Sequence, residues 1–194
     1  MLTRLRHLLR DTSGLAALEF ALIAGPLALM MLAIFDITFR FQAADEFERY
    51  LYQFGDLLSR DDDLSEDDLD TIYEAADQMM QQVNVEEGAL DIAIASIGFQ
   101  QNGDPVKLWQ RWRGGLPGEV DVEAARGLAA PGESVIQVSA TLRYTSAITV
   151  LSGGDDLSEQ GVLYFKPRTT RAIAFEGKIH DAGISWDGYT AGGS

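Results

Sequence analysis

The sequence predicts an α+β fold: a long N-terminal membrane-spanning helix that continues as a stalk, a second helix, and an antiparallel sheet of about four strands. Three observations carry this expectation. An apolar run from Leu15 to Phe35 holds a single charge, Glu19. Beyond it, apolar residues recur at three- and four-residue steps, first to Leu58 and again from Leu69 to Val83. From Ala89 the period drops to two, with turn residues between the segments.

A helix rises about 1.5 Å per residue, so Leu15 to Phe35 covers about 30 Å, the hydrocarbon thickness of a bilayer. Arg4, Arg6 and Arg10 precede it, opposed only by Asp11, which predicts that this end stays in the cytoplasm and the rest is exported. A cleaved secretory signal has an apolar stretch of about 7–15 residues and a small-x-small site beyond it. This run is longer and leads into Asp36-Ile37-Thr38-Phe39-Arg40, which offers no such site. A plain anchor fits the length but leaves Glu19 unexplained. An acid costs about 2.5–3.5 kcal/mol at mid-bilayer and less one turn from an end, where Glu19 lies. Pro26, after Gly25, predicts a kink that a membrane helix tolerates.

The stalk follows from Ala43, Phe47, Tyr50, Leu51, Phe54, Leu57 and Leu58, with acids and Arg49 between them. Arg60-Asp61-Asp62-Asp63 ends it. Asp61, Asp63 and Ser65 match the first alternating ligands of an EF-hand loop, but the loop glycine is missing and Ile72 stands where the bidentate glutamate belongs. A helix start fits better, with Ser65 as N-cap, Asp68 three residues on, and Leu64 and Leu69 as a hydrophobic staple. Leu69, Ile72, Tyr73, Ala76, Met79, Met80 and Val83 form its core stripe.

Leu90, Ile92 and Ile94 define the first long strand. Ile97 and Phe99 follow one residue out of phase, the mark of a bulge. Asn102-Gly103 predicts a hairpin into Val106–Trp112, where Trp109 and Trp112 read as core cover, subunit interface or a stacking site. Val120 to Leu128 suggests a short helix. After Pro131-Gly132, Val135 to Tyr144 alternates as a half-buried strand. The Asp-Asp-Leu-Ser-Glu wording of 62–66 recurs at 155–159 as reused turn chemistry, since one five-residue match makes no repeat. Gly161 to Phe165 opens a last strand that continues through Ile173 and Phe175.

The leader and span together suggest a family. Ser13-Gly14-Leu15-Ala16-Ala17-Leu18-Glu19-Phe20 resembles the type IV prepilin signal: a basic leader ending in Gly14, then Glu19 as fifth residue of an apolar helix. The wording is most similar to TadE/TadG-like pseudopilins of tight-adherence (Flp-type, type IVb) pilus systems. Trp109, Leu142-Arg143-Tyr144-Thr145 and Lys166-Pro167-Arg168 match that family's later marks in order and rough spacing. Phe20 stands where major pilins usually have tyrosine, and no proline follows soon after Tyr144.

The resemblance implies cleavage between Gly14 and Leu15 by a prepilin peptidase, with Glu19 and Phe20 serving assembly. It further implies contact with other pilus subunits and pseudopilins and with an inner-membrane assembly platform. The chain then reads as a basic prepilin-type leader over 1–14, a lipid-embedded helix over 15–39, a periplasmic α+β domain over 40–180 and a loosely held tail over 181–194.

Composition bounds the alternatives. The 194 residues carry a net charge of −15, which repels nucleic acid. There is no cysteine, so no disulfide, zinc-thiolate site or thiol nucleophile can form. No nucleophile elbow, P-loop or GxGxxG occurs, and no metal or other cofactor is expected. Two other classes remain open: a single-pass membrane-anchored periplasmic binding module with its site at Trp109–Trp112, and an anchored hydrolase using His180.

Overall fold

A computed structural model of the protein describes residues 13–80, 89–115, 117–145 and 157–188. It is an α+β fold with a long apolar N-terminal helix, a second helix and a four-stranded antiparallel sheet. The chain divides after Phe41 into two compact units. Helix α1 (Ser13–Leu58) supplies the described residues of the first unit and runs unbroken through Pro26. Just beyond the apolar run the hydroxyl of Thr38 donates back to the carbonyl of Ile34 at 2.8 Å, so it brings no unpaired polar group.

In the second unit, from Gln42, the predicted stalk stripe becomes core. Ala43, Phe47, Tyr50, Leu51, Phe54 and Leu58 are buried, whereas Leu57 is exposed on the opposite side. The chain leaves α1 at Leu58 and forms a two-residue strand β1 (Asp63–Leu64), then helix α2 (Glu66–Met80). Local chemistry starts α2. The backbone N–H of Asp68 donates to the hydroxyl of Ser65 at 3.2 Å, and the Asp68 carboxylate accepts from the N–H of Ser65 at 3.0 Å. Leu64 and Leu69 are both buried, completing the staple.

The sheet comprises β2 (Leu90–Phe99), β3 (Pro105–Arg113), β4 (Ser134–Tyr144) and β5 (Leu157–Phe165), in the order β3-β2-β4-β5. The hairpin turn between β2 and β3 holds Gly103 at φ 86°, the left-handed conformation glycine admits. One face packs on α1. Gly161 of β5 meets Leu51 and Phe47, and Tyr52 makes an edge contact with Phe165 at 6.5 Å between ring centres.

Register corrects the reading of the phase shift in β2. Against β4 that strand pairs without interruption, from Leu90 opposite Leu142 to Gly98 opposite Ser134. The irregularity lies in β3: Ser96 faces Trp109 and Ile97 faces Lys107, so Leu108 is the extra residue and both Leu108 and Trp109 are buried. The phase of β2 changes because its large residues change faces. Ile92 and Ile94 share one face, while Ile97 and Phe99 point to the other and pack with Val135, Ala125, Val120 and Val122.

That second layer also corrects β4. Its first five residues are buried on both faces, so it is half-buried only towards Tyr144. Of the helix expected over Val120–Leu128, only a 3-10 turn at Glu123–Ala125 forms. The Asp121 carboxylate caps it by accepting from the N–H groups of Glu123 and Ala124, and Gly127 at φ 82° ends it.

The last strand does not continue to Phe175. It ends at Phe165, and a separate strand β6 (Ala174–Phe175) pairs in parallel with β1. Asp63 anchors the following turn by accepting from the N–H of Gly177. Within the expected tail Trp186 is buried, its indole N–H donates to the carbonyl of Phe99 at 3.0 Å, and the N–H of Gln101 donates to Asp187 at 2.9 Å; residues 189–194 lie outside the described residues. The two copies of Asp-Asp-Leu-Ser-Glu also diverge. The first forms β1 and a helix cap, while Leu157-Ser158-Glu159 of the second opens β5. Residues 152–156, residues 81–83 and the side chains of residues 76–80 lie outside the described residues.

Candidate functional site

The residues singled out for processing and assembly occupy the start of α1. Gly14 and Leu15 lie within its first turn. Among the described residues, chain neighbours and the helix's own backbone aside, no atom lies within 4 Å of the position a Gly14 side chain would take. Leu15 and Glu19 are four residues apart and share a helix face, one turn from each other. Phe20 is 73 % exposed, and Leu15, Leu18, Leu22, Ile23 and Leu27 are exposed with it. Arg4, Arg6 and Arg10 lie outside the described residues.

Such a surface is costly to leave in water. Each exposed leucine or phenylalanine would gain about 1.5–3 kcal/mol on burial, and here a continuous run forgoes it. Among the described residues this is one helix long and apolar enough to cross a membrane, and it lies near the N-terminus, consistent with a single-pass anchor. The far end of the run carries a feature that the sequence reading passed over. Arg40 donates to Asp36 at 2.8 Å across one helical turn, and the Asp36 side chain is 2 % exposed. The acid that closes the apolar run is therefore neutralised within the helix. Its i,i+4 spacing was the available signal.

The C-terminal marks have structural work. Trp109 is 1 % exposed, donates its indole N–H to the carbonyl of Ile173 at 2.9 Å and packs on Phe175. It cannot form a stacking platform with Trp112, which is 46 % exposed, so the Trp109–Trp112 pair is not a joint binding site. Arg143 pairs with Asp91, whose carboxylate also accepts from the N–H of Gly115 at 2.7 Å. The Arg143 hydrogen bond holds the Asp91 carboxyl below its ordinary range. Lys166 lies 3.6 Å from Glu133, and Arg168 joins Asp56, which Arg60 also reaches. The Lys-Pro-Arg segment thus ties the end of the sheet to the end of α1.

His180 is exposed, and its ring Nδ1 lies 3.1 Å from the carbonyl oxygen of Asp181. Ser65 and Asp63 serve as helix cap and turn anchor. No group of three or more His, Cys, Asp or Glu side chains that could hold a metal occurs among the described residues.

A second feature lies within the C-terminal unit. The sheet face away from α1 is covered by the 117–129 segment at its Ile97 end, and beyond that cover a cavity of about 650 Å³ opens. Comparison of the chain with family models, curated proteins and solved structures finds no match.

Proposed function

We propose that the protein is a TadE-like pseudopilin, a minor subunit that assists assembly of a Tad/Flp-type adhesion pilus after prepilin peptidase cuts behind Gly14. It acts as a structural subunit of the inner membrane, with its N-terminus cytoplasmic and its α+β body periplasmic. The observation that carries the reading is Glu19, the one charge on a helix face otherwise apolar and exposed from Leu15 to Phe35. Cleavage would create an amino group at Leu15. A neighbouring subunit's Glu19 could neutralise that amine inside the bilayer, where either charge alone is costly.

The test is Glu19→Leu in the native host. The substitution makes the span more apolar, so membrane insertion is retained or improved. Sheared pili should decline while processed protein accumulates in the membrane fraction. Normal piliation would contradict the proposed role.

A further inference from the structure

We infer that the open half of the sheet face away from α1 is a binding site for a neutral, polyhydroxylated ligand of the oligosaccharide class. Register builds the site as three rows. Gln110, Ala95, Gln137 and Tyr164 stand side by side across the four strands. The next row is Trp112, Ala93, Ser139 and Val162, and the third is Asp91, Thr141 and Gln160. Alanines at the centre of β2 make a trough, and amides and hydroxyls on the flanking strands make its sides.

The Pro117–Asp121 segment walls one end of this trough. It is held there by the Asp91 bond to Gly115 and by packing of Val120 and Val122 on the Ile97 cluster. The cavity is open to solvent on one side, and its volume of about 650 Å³ lies within the range of small-molecule sites, about 300–1,000 Å³.

One atom points to a missing partner. Gln137 is 8 % exposed and lines the cavity, yet its side-chain oxygen is buried without a hydrogen bond. A buried amide oxygen left unpaired is costly, and a ligand hydroxyl in the trough would satisfy it. Charge then selects the class. Among the described residues no lysine or arginine lines the cavity, whereas Asp91, Glu119 and Asp121 do, so phosphate, nucleotide and carboxylate ligands are repelled.

Asp91 is already paired with Arg143, and Asp121 caps the 3-10 turn, so two of the three carboxylates are committed within the protein. The floor itself offers neutral amides and hydroxyls, each both donor and acceptor, which suits closely spaced ligand hydroxyls better than a cation.

The test is titration calorimetry on the full-length protein in lauryldimethylamine oxide, a detergent without a sugar head group. The probes are N-acetylglucosamine trisaccharide and maltotriose, with spermidine and sulfate as charged controls. Saturable binding of at least one trisaccharide is expected, weakened roughly tenfold by Gln137→Leu, the change expected when a buried hydrogen bond is lost. Gln160→Ala, on the exposed edge strand, should weaken it severalfold and decides the matter if Gln137→Leu does not fold. The assignment is overturned if neither sugar binds, if the variants bind as the parent does, or if spermidine or sulfate binds instead.

Discussion

The ring of Phe165, at the end of β5, lies directly on Gly55 of α1, so closely that a methyl group at position 55 would overlap it. Gly161, four residues earlier on β5, is approached almost as tightly by Leu51. The helix and the edge strand therefore meet where neither glycine has a side chain.

Gly55→Ala sets two effects against each other. Alanine improves helix propensity by about 1 kcal/mol, and overpacking costs about 1–3 kcal/mol. The clash should win, giving a net loss of about 1 kcal/mol in a urea melt of the full-length protein. Adding Phe165→Leu should recover part of that loss. A Gly55→Ala protein more stable than the parent would show that the ring moves aside freely.

Ser65→Ala should lower stability by about 0.5–2 kcal/mol, the usual effect of removing an N-cap. Ser65→Thr keeps the hydroxyl and should restore most of it. Equal melts for Ser65→Ala and the parent would contradict the cap, whatever its geometry.

This cap was legible in the sequence because all its parts lie within six residues, from Leu64 to Leu69. The buried stripe of α1 was legible from its period, and the β2–β3 hairpin from Asn102-Gly103. What was not legible depended on distant partners. Ile173 and Phe175 read as a continuing strand because nothing local shows that β6 pairs with β1, over a hundred residues earlier. Trp186 sits in a Gly-rich stretch without periodicity, and its burial depends on a distant part of the chain, Gly98 and the Phe99 carbonyl among it. The sheet cavity required the register of four strands, which no alternation pattern supplies. Asp36 and Arg40 are different: their pairing is local, and its i,i+4 spacing was legible.

Acid should loosen the Asp91–Arg143 pair in a defined direction. The folded-state carboxyl of Asp91 lies below its ordinary value of 3.8, chiefly through the Arg143 hydrogen bond. Its contribution is therefore present above that value and is lost as pH falls through the lower folded-state value. Melting temperature followed from neutral pH down through about pH 4 and below should fall more steeply for the parent than for Asp91→Asn. Parallel profiles would mean that the pair carries no pH-dependent stability.

The central claim, that Gly14 ends a leader removed before assembly, is tested most directly at the amino terminus itself. Protein extracted from the membranes of its native host should give Leu-Ala-Ala-Leu-Glu on Edman degradation, and Gly14→Val should leave a longer, uncleaved form. A first residue of Met1, or any start beyond Phe35, would contradict the account.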